Sequence, residues 1–382
     1  MTLPRLLIPR ESLPGETRVA ATPETIKKFL GLGCHVHVQE GAGLLAGFIK
    51  EDYIKAGAEV FAAEDSNLLR QVDAVLCVNS PQQALLSKLS KGTLLVGLLA
   101  PYGNSSLEAS LKSNQLSALA LELLPRISRA QSSDALSSQA NIAGYKATLL
   151  AASALDRYFP MLMTAAGTVQ PAKVVILGAG VAGLQAIATA KRLGAVVYVS
   201  DIRPAVKEQV ESLGARFINP PELEEKPNEA GGYARQASEL FLAAQRKQLM
   251  EQLSEADVAI CTAQVPGKKA PRLLNEEMLD QMRPGSVVID LAVSQGGNCF
   301  GTKPGETIVR KGVRLIGASD LPCSVPNHAS VLYSRNLLSL ISPLVKDGEF
   351  ILDTNDEMID GSLISENGVI RHENVFNAGG TN

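Results

Sequence analysis

The chain has 382 residues, of which 46% are hydrophobic, 20% are charged and 4% are aromatic. This length exceeds what one hydrophobic core usually holds and predicts a globular protein of two domains. The formal net charge of −3 argues against a nucleic-acid-binding surface, and the longest apolar runs, 93–100 and 147–154, are too short to cross a bilayer. The five cysteines form no CxxC pair, so we expect a reducing, cytoplasmic location without a disulfide framework or a zinc site.

Short β-rich runs alternate with helical patterns along almost the whole chain. Runs of Val, Ile, Leu and Ala bounded by Gly, Pro or Asp are typical of parallel strands buried on both faces. The predicted strands are 5–8, 35–39, 74–78, 94–98 and 116–121 in the N-terminal half, and 174–177, 196–200, 258–261, 287–291 and 313–316 in the C-terminal half. This alternation predicts an α/β protein with two Rossmann-like, doubly wound parallel-sheet domains and a nucleotide cleft between them.

Two long apolar helical patterns, 139–158 and 329–344, suggest how the domains are connected. The first lies just before the second group of strands, and the second returns the chain to the first group. We therefore predict a discontinuous N-terminal Rossmann-like domain (residues 1–138 plus 328–382) and an NAD-binding Rossmann domain (residues 139–327). A simple division into two consecutive segments is the alternative.

Residues 173–201 follow the order strand, glycine turn, helix, strand and acid, which is the order of a dinucleotide-binding βαβ unit. Gly178 permits the tight turn, Gly180 lets the backbone approach a pyrophosphate, and Gly183 lets the helix pack closely on the strand. The N-terminus of this helix offers free N–H groups and the positive end of the helix dipole. The segment therefore predicts dinucleotide binding.

Asp201 lies at the end of the second strand of this unit, where a carboxylate accepts hydrogen bonds from ribose hydroxyls. The same carboxylate repels the 2′-phosphate of NADP(H), whereas Arg203, two residues later, attracts one. Because the carboxylate occupies the strand end itself, the sequence favours NAD(H).

A polar segment, 125–141, directly follows an apolar strand, and open α/β sheets bind ligands at their strand ends. Arg126, Arg129 and Gln131 are suited to hold a pyrophosphate and a nicotinamide carboxamide. The alternative is a polar loop in which Asp134 caps the helix that follows. Both interpretations stay open at this point.

Two further segments have candidate roles. Paired glycines beside Tyr233 in the insertion 226–235 suit a loop that closes over a ligand and excludes water, although a surface loop without a function fits equally. Gln264, in the segment 261–268, follows a strand and precedes a Pro/Gly turn at the nucleotide edge of the second sheet.

The distribution of histidines restricts the chemistry. The four histidines are His35, His37, His328 and His372, so none lies where a dehydrogenase of this layout usually places its general acid–base residue. No metal-spaced cluster and no nucleophile elbow occur in the sequence. Hydride transfer between two nicotinamides needs no proton donor, only aligned rings and exclusion of water. The sequence thus fits such a transfer or simple dinucleotide binding.

The segment from Pro9 to Pro23 resembles the N-terminal signature shared by alanine dehydrogenases and transhydrogenase alpha subunits. Gly178 to Gly183, followed by Leu-Gln-Ala, resembles the second signature of that family. The segment 125–138 and the Gly-Gly-Tyr at 231–233 resemble one branch only, the NAD(H)-binding component (domain I) of proton-translocating NAD(P) transhydrogenase. The resemblance extends over essentially the whole chain.

The other branch of the family is disfavoured by substitution. Alanine dehydrogenases carry a substrate-binding Lys in a Val-Lys-Glu-Pro motif and a catalytic His on the following strand. The matching segment here is Val78-Asn79-Ser80-Pro81, and residues 94–100 contain no His. The carboxylate of an amino acid would therefore lack its cation, and the imine chemistry would lack its acid.

The resemblance implies a homodimer that transfers hydride directly and reversibly between NAD(H) on this chain and NADP(H) on a partner subunit. It implies coupling to proton translocation in membrane-spanning subunits, to which this chain attaches peripherally because it has no transmembrane helix of its own. An amino-acid dehydrogenase and a non-catalytic NAD(H)-binding module are the two alternatives.

The resemblance also assigns residues to the site. It implies catalytic roles for Gln131, Arg126, Asp134 and Ser137, of which Gln131 orients the nicotinamide ring while Asp134 and Ser137 support the loop. The residues implied to bind the cofactor are Arg126, Ile127, Ser128, Arg129, Gln131, Gly178, Gly180, Val181, Gly183, Asp201, Ile202, Arg203, Gly232, Tyr233 and Gln264.

Overall fold

The structure, a computed structural model, describes residues 3–62, 66–219 and 239–378. Its strands, in chain order, are β1 (Arg5–Ile8), β2 (His35–Gln39), β3 (Glu59–Phe61), β4 (Ala74–Asn79), β5 (Leu94–Leu98), β6 (Ser117–Ala120), β7 (Leu162–Thr164), β8 (Gly167–Val169), β9 (Lys173–Leu177), β10 (Val196–Ser200), β11 (Arg216–Phe217), β12 (Val258–Cys261), β13 (Val287–Asp290), β14 (Thr307–Arg310), β15 (Val313–Gly317), β16 (Val345–Lys346), β17 (Glu349–Phe350), β18 (Leu363–Glu366) and β19 (Val369–Ile370).

The helices connect these strands and flank the sheets. In chain order they are α1 (Pro23–Gly31), α2 (Lys50–Ala56), α3 (Ser66–Leu69), α4 (Gln83–Leu86), α5 (Ser105–Asn114), α6 (Ala135–Ala154), α7 (Val181–Arg192), α8 (Lys207–Ser212), α9 (Glu239–Ser254), α10 (Glu276–Asp280), α11 (Pro326–Ile341), α12 (Glu357–Ser362) and α13 (Glu373–Phe376).

The chain divides into two compact units. Unit 1 comprises Met1–Ala140, Pro266–Lys268 and Pro322–Asn382, and unit 2 comprises Asn141–Val265 and Lys269–Leu321. The division between them falls inside helix α6. Each unit is described by its own sheet.

The sheet of unit 1 has the order β19-β18-β6-β5-β4-β1-β2-β3. The six strands from β6 to β3 are parallel, and β18 extends the sheet antiparallel to β6. In chain order the parallel strands follow the 3-2-1-4-5-6 arrangement of a doubly wound fold, whose order reverses between β1 and β4. Helices α1 and α11 cover one face, where Phe29 and Tyr333 are among the buried side chains.

The sheet of unit 2 has the order β11-β10-β9-β12-β13-β15-β14, with β14 antiparallel to β15 and the others parallel. This is again the 3-2-1-4-5-6 arrangement, and its order reverses between β9 and β12. The strands β9, β12 and β13 are buried along nearly their whole length. Burial on both faces explains why these strands are continuous apolar runs in the sequence.

The two sheets confirm the predicted α/β class with two parallel-dominated sheets. All ten predicted strands are present within about one residue at either end. The strands that the sequence pattern missed are short, lie at sheet edges or form small hairpins; β14 is an example, with alternately exposed side chains. Edge strands pack on fewer neighbours, so their sequences carry a weaker apolar signal.

Two predicted helices are shifted in the structure. The helix predicted at 139–158 is α6 and begins four residues earlier, because Asp134 accepts a hydrogen bond from the backbone N–H of Ser137 at 2.9 Å and so caps it. The helix predicted at 329–344 is α11, which begins at Pro326, a residue suited to the first helical turn.

Candidate nucleotide-binding site

The glycine turn after β9 shows why two of its three glycines are required by the fold. Gly178 has φ +105°, in the region that favours glycine. A Cβ on Gly183 would lie 1.9 Å from the carbonyl oxygen of Gly178, so helix α7 can approach the turn only without a side chain there. The hydroxyl of Thr262 donates to the Gly178 carbonyl at 2.9 Å and holds the turn from the neighbouring strand.

Gly180 has a different surrounding. A Cβ placed on it would meet no atom of the protein within 4 Å. Gly180 is also the N-cap of α7, and no side chain bonds to the first N–H groups of this helix. The turn therefore combines free space with free N–H donors at the positive end of a helix, which is the arrangement that binds a phosphate group.

Asp201 follows β10 and connects the two halves of the βαβ unit. Its carboxylate accepts the N–H of Ala179 at 2.7 Å and the N–H of Arg203 at 2.8 Å. Burial alone would raise the pKa of Asp201, but the bonds from the Arg203 guanidinium and these two N–H groups lower it below its usual value. Asp201 is thus an anion whose partner Arg203 is already engaged, at 3.0 Å.

The turn after β12 is held by side chains that the sequence analysis did not single out. Asn298 is fully buried, accepts the N–H of Ala263 at 3.1 Å and donates to its carbonyl oxygen at 2.8 Å. Asp290, at the end of β13, accepts the N–H groups of Asn298 and Cys299. An acid at the end of an apolar strand is a signal that could have identified Asp290, whereas Asn298 lies in a glycine-rich loop with no local signal.

Unit 2 brings together most of the predicted cofactor residues. The three glycines, Val181, Asp201, Ile202, Arg203 and Gln264 all follow the carboxyl ends of the adjacent strands β9, β10 and β12. Gln264 donates through Nε2 to the carbonyl oxygen of Leu291 at 2.7 Å, and Ile202 is 80% exposed. Gly232 and Tyr233 lie outside the described residues.

The polar segment before α6 belongs to unit 1. Ile127, Ser128 and Arg129 lead into a 3-10 turn, Ser128–Ser133, and the Arg129 guanidinium is paired with Asp356. The hydroxyl of Ser137 donates to Asp134, the capping residue of α6. Among the described residues, the side chains of Arg126 and Gln131 have no hydrogen-bond or ion-pair partner, so both are free to contact a ligand.

A buried charged cluster lies in the loop that follows β1, and the sequence analysis missed it. Glu16 and Arg18 form a two-point ion pair, with Nε to Oε1 at 2.7 Å and Nη2 to Oε2 at 2.6 Å. Asn79, at the end of β4, donates to Glu16 at 2.7 Å. Glu11 accepts the N–H of Val78 at 2.6 Å and that of Asn79 at 3.1 Å. The residues are separated in sequence, so no local pattern reveals the cluster.

The two glutamates of this cluster have opposite pKa shifts. Burial raises the pKa of Glu11 to about 7, despite its two backbone hydrogen bonds. Burial also acts on Glu16, but the hydrogen bonds and positive charge of Arg18 outweigh it and lower the pKa of Glu16 to about 2. The cluster therefore holds one permanent ion pair and one carboxyl group that titrates near neutral pH.

Within the described residues, no group of three His, Cys, Asp or Glu side chains is arranged to hold a metal ion. Over the same stretches of the chain, no helix is both long and apolar enough to cross a membrane.

The alanine dehydrogenase/PNT N-terminal domain family matches residues 7–143, and the alanine dehydrogenase/PNT C-terminal domain family matches residues 147–373. The chain therefore belongs to the alanine dehydrogenase/PNT family.

Individual relatives separate the two branches of this family. The chain is 45% identical to an NAD(P) transhydrogenase alpha subunit of Rhodospirillum rubrum, over 96% of this chain and 98% of that one. It is 27% identical to alanine dehydrogenase of Bacillus subtilis, over 96% and 93% of the two chains. A transhydrogenase structure from Sinorhizobium meliloti matches with a TM-score of 0.88 and 42% identity, over 96% of this chain and 100% of that chain.

A pair of alanine substitutions separates binding from folding at the glycine turn. We expect Gly180→Ala to change the free energy of unfolding by less than about 1 kcal/mol, because the new Cβ meets open space. The same variant should weaken NADH binding at least about tenfold, or about 1.4 kcal/mol. Gly183→Ala should destabilise the protein by roughly 3 kcal/mol or more through the clash with Gly178. Urea unfolding and NADH fluorescence titration measure both effects; normal NADH affinity in Gly180→Ala would contradict a phosphate site at this turn.

The Glu11 carboxyl group predicts a pH dependence of stability. Its raised pKa means that the folded state binds a proton more tightly than the unfolded state, so its contribution is complete below about pH 4.5 and is lost as the pH rises to about 7. Relative to Glu11→Gln, the wild-type protein should lose up to about 1.4 kcal/mol of unfolding free energy per pH unit in this window.

Urea unfolding at several pH values between 4.5 and 8 measures this difference. Glu51→Gln, at an exposed position outside the cluster, is the matched control and should follow the wild type. Parallel pH profiles for Glu11→Gln and the wild type would show that Glu11 does not titrate in this range.

Proposed function

We propose that this chain is the NAD(H)-binding subunit of a proton-translocating NAD(P) transhydrogenase. It exchanges hydride directly and reversibly between its own NAD(H) and NADP(H) on a partner subunit, and membrane subunits couple this exchange to proton translocation. The observation that carries the proposal is the sequestered Arg18. Its guanidinium is paired with Glu16 in a buried cluster where Asn79 stands in place of the lysine of alanine dehydrogenases.

This cluster argues against the amino-acid dehydrogenase alternative. An amino-acid substrate needs a free cation for its carboxylate, and the cation of the cluster already has two strong bonds to Glu16. Breaking a buried pair to admit a substrate would leave Glu16 as an unpaired buried charge, which costs several kcal/mol. Strand β5 also contains no His that would serve as acid.

The residues of unit 2 fit NAD(H). Under the proposal the N–H groups at the start of α7 hold the pyrophosphate beside Gly180, and Asp201 accepts from the ribose hydroxyls. Because Arg203 is bound to Asp201, it is not free to attract a 2′-phosphate, which favours NAD(H) over NADP(H). Val181 and Ile202 are exposed apolar side chains beside these groups and offer packing surface.

The chemistry of the bound cofactor is the gain or loss of hydride at the nicotinamide ring. The protein itself supplies orientation and exclusion of water. We assign orientation of the ring to Gln131 and Arg126, whose side chains are free within the described residues. Asp134 and Ser137 hold the 3-10 turn of this segment at the start of α6. No residue is required to donate or accept a proton.

A β-hairpin supports the homodimer. Strands β7 and β8 form an isolated two-stranded sheet, which has marginal stability alone. Its region exposes Tyr158, Met161 and Met163, the last of them 78% exposed. Exposed apolar side chains grouped in this way are typical of an interaction surface, and we assign this one to the second copy of the chain.

The proposed function is tested with an acetylpyridine analogue of NAD and with NADPH as reductant. The assay uses this chain alone and mixed with the NADP(H)-binding domain of a transhydrogenase. Turnover in the mixture only is the expected result. Turnover by the chain alone would mean that both nucleotides bind here. No turnover in either case, from protein that still binds NADH, would favour the non-catalytic binding module; turnover with pyruvate and ammonia would favour the amino-acid dehydrogenase.

Gln131→Ala should slow hydride transfer at least about tenfold, or about 1.4 kcal/mol in the barrier, while changing NADH affinity much less. The reason is that a residue which orients the ring acts mainly in the transition state. Stopped-flow transfer rates and NADH titration measure the two effects, and Arg126→Ala should behave in the same way. Gln281→Ala, an exposed glutamine of unit 2, is the control. An unchanged transfer rate in Gln131→Ala would remove this segment from the reacting ring.

Met163→Asp should shift the protein from dimer to monomer, because it places a charge within the apolar surface that the dimer buries. Sedimentation velocity across a range of protein concentrations measures the shift. Val309→Asp, at an exposed apolar position on the edge strand β14, is the matched control and should leave the dimer intact. A dimer of unchanged affinity in Met163→Asp would exclude this hairpin from the interface.

A further inference from the structure

The edge of the unit 1 sheet repeats the geometry of the nucleotide edge in unit 2. In unit 1, Ile8 of β1 pairs with Val38 of β2, so Gln39 follows the last paired position. In unit 2, Leu177 of β9 pairs with Ser200 of β10, so Asp201 follows in the same way. Gln39 therefore occupies the position in unit 1 that Asp201 occupies in unit 2.

A hydrogen bond is repeated along with the position. The N–H of Arg10, two residues after β1, donates to Oε1 of Gln39 at 2.8 Å. The N–H of Ala179, two residues after β9, donates to Asp201 at 2.7 Å. Both sheets thus bind the turn after their first strand to a polar side chain at the end of their second strand, at the point where ligands bind in doubly wound sheets.

The turn itself differs between the units. Glu11 stands where unit 2 has Gly180, and its carboxylate accepts the N–H groups of Val78 and Asn79 at the end of β4. A carboxylate at this position repels a pyrophosphate and fills the space that glycine leaves free. Unit 1 consequently cannot hold a dinucleotide in the manner of unit 2.

A cavity of about 340 Å³ opens at this edge of unit 1. Its apolar lining includes Leu7, Phe61, Leu69 and Leu85, and its polar lining includes Gln39 and Gln82. A volume of this size is at the lower end of the range for small-molecule pockets. An aromatic ring with apolar neighbours favours a flat heterocycle, and side-chain amides offer hydrogen bonds to its edge or to a ribose.

Two cations complete the lining, namely Arg10 and Lys88. Within the described residues neither side chain has an ion-pair or hydrogen-bond partner. The cavity thus combines an apolar region, neutral hydrogen-bonding groups and two free positive charges, all contributed by unit 1. This combination is complementary to a molecule with one heterocycle and one phosphate group.

We propose that this cavity is a second ligand site and that it binds a nucleoside monophosphate. The heterocycle contacts Phe61 and Leu85, the amides of Gln39 and Gln82 bind its polar groups, and Arg10 and Lys88 bind the phosphate. The site takes one phosphate because Glu11 excludes the second. It is separate from the NAD(H) site of unit 2 and does not depend on the proposed transhydrogenase activity.

Calorimetric titration of the full chain with 5′-AMP, in the presence of saturating NADH, tests this proposal. We expect one further binding event per chain, weakened at least tenfold in both Arg10→Gln and Lys88→Gln. Lys91→Gln, an exposed lysine outside the cavity, is the matched control and should bind as the wild type does. Adenosine and inorganic phosphate should each bind more weakly than AMP, because each fills only a portion of the cavity.

Three results would overturn the proposal. Absence of AMP binding once NADH is saturating would place all AMP binding in unit 2. Equal AMP affinity in all three variants would exclude this cavity, and phosphate binding as tight as AMP binding would indicate an anion site without a heterocycle pocket. NADH titration of the same samples, together with the acetylpyridine assay, shows separately whether the proposed function stands.

Discussion

The close approach of helix α7 to the turn after β9 is the constraint on which the nucleotide site depends. Gly183 lies so near the carbonyl oxygen of Gly178 that any side chain would separate the helix from the turn. This contact directs the N–H groups at the start of α7 into the open space beside Gly180. The asymmetry among the three glycines follows from it: the fold requires two of them, whereas the third leaves room for a ligand.

The same doubly wound topology supports different chemistry in the two units. Unit 2 has a glycine turn and an anion, Asp201, at the end of its second strand. Unit 1 has Glu11 in the turn and the neutral Gln39 at the corresponding strand end, with the buried pair of Glu16 and Arg18 in the loop that follows. A fold therefore defines where ligands bind, and the side chains at those positions define which ligands are accepted.

Electrostatics separates this chain from an amino-acid dehydrogenase more sharply than the fold does. Both branches of the family share the two sheets, but here Arg18 is paired with Glu16 and Asn79 donates an amide hydrogen to the same carboxylate. A buried cation that is fully paired contributes to the stability of the loop after β1 and is not free for a substrate. The absence of a free cation in this cluster supports a reaction in which both reactants are nucleotides.

The sequence by itself determined the α/β class, the ten principal strands and the nucleotide turn, because buried parallel strands and glycine spacing are local patterns. It also identified Asp201, which directly follows an apolar strand. Only the tertiary structure placed Asn298 on the turn of Ala263, paired Glu16 with Arg18 and Asn79, and revealed that Gln39 and Asp201 are equivalent. These relations join residues distant in sequence, and burial and hydrogen-bond geometry arise only when the strands pair.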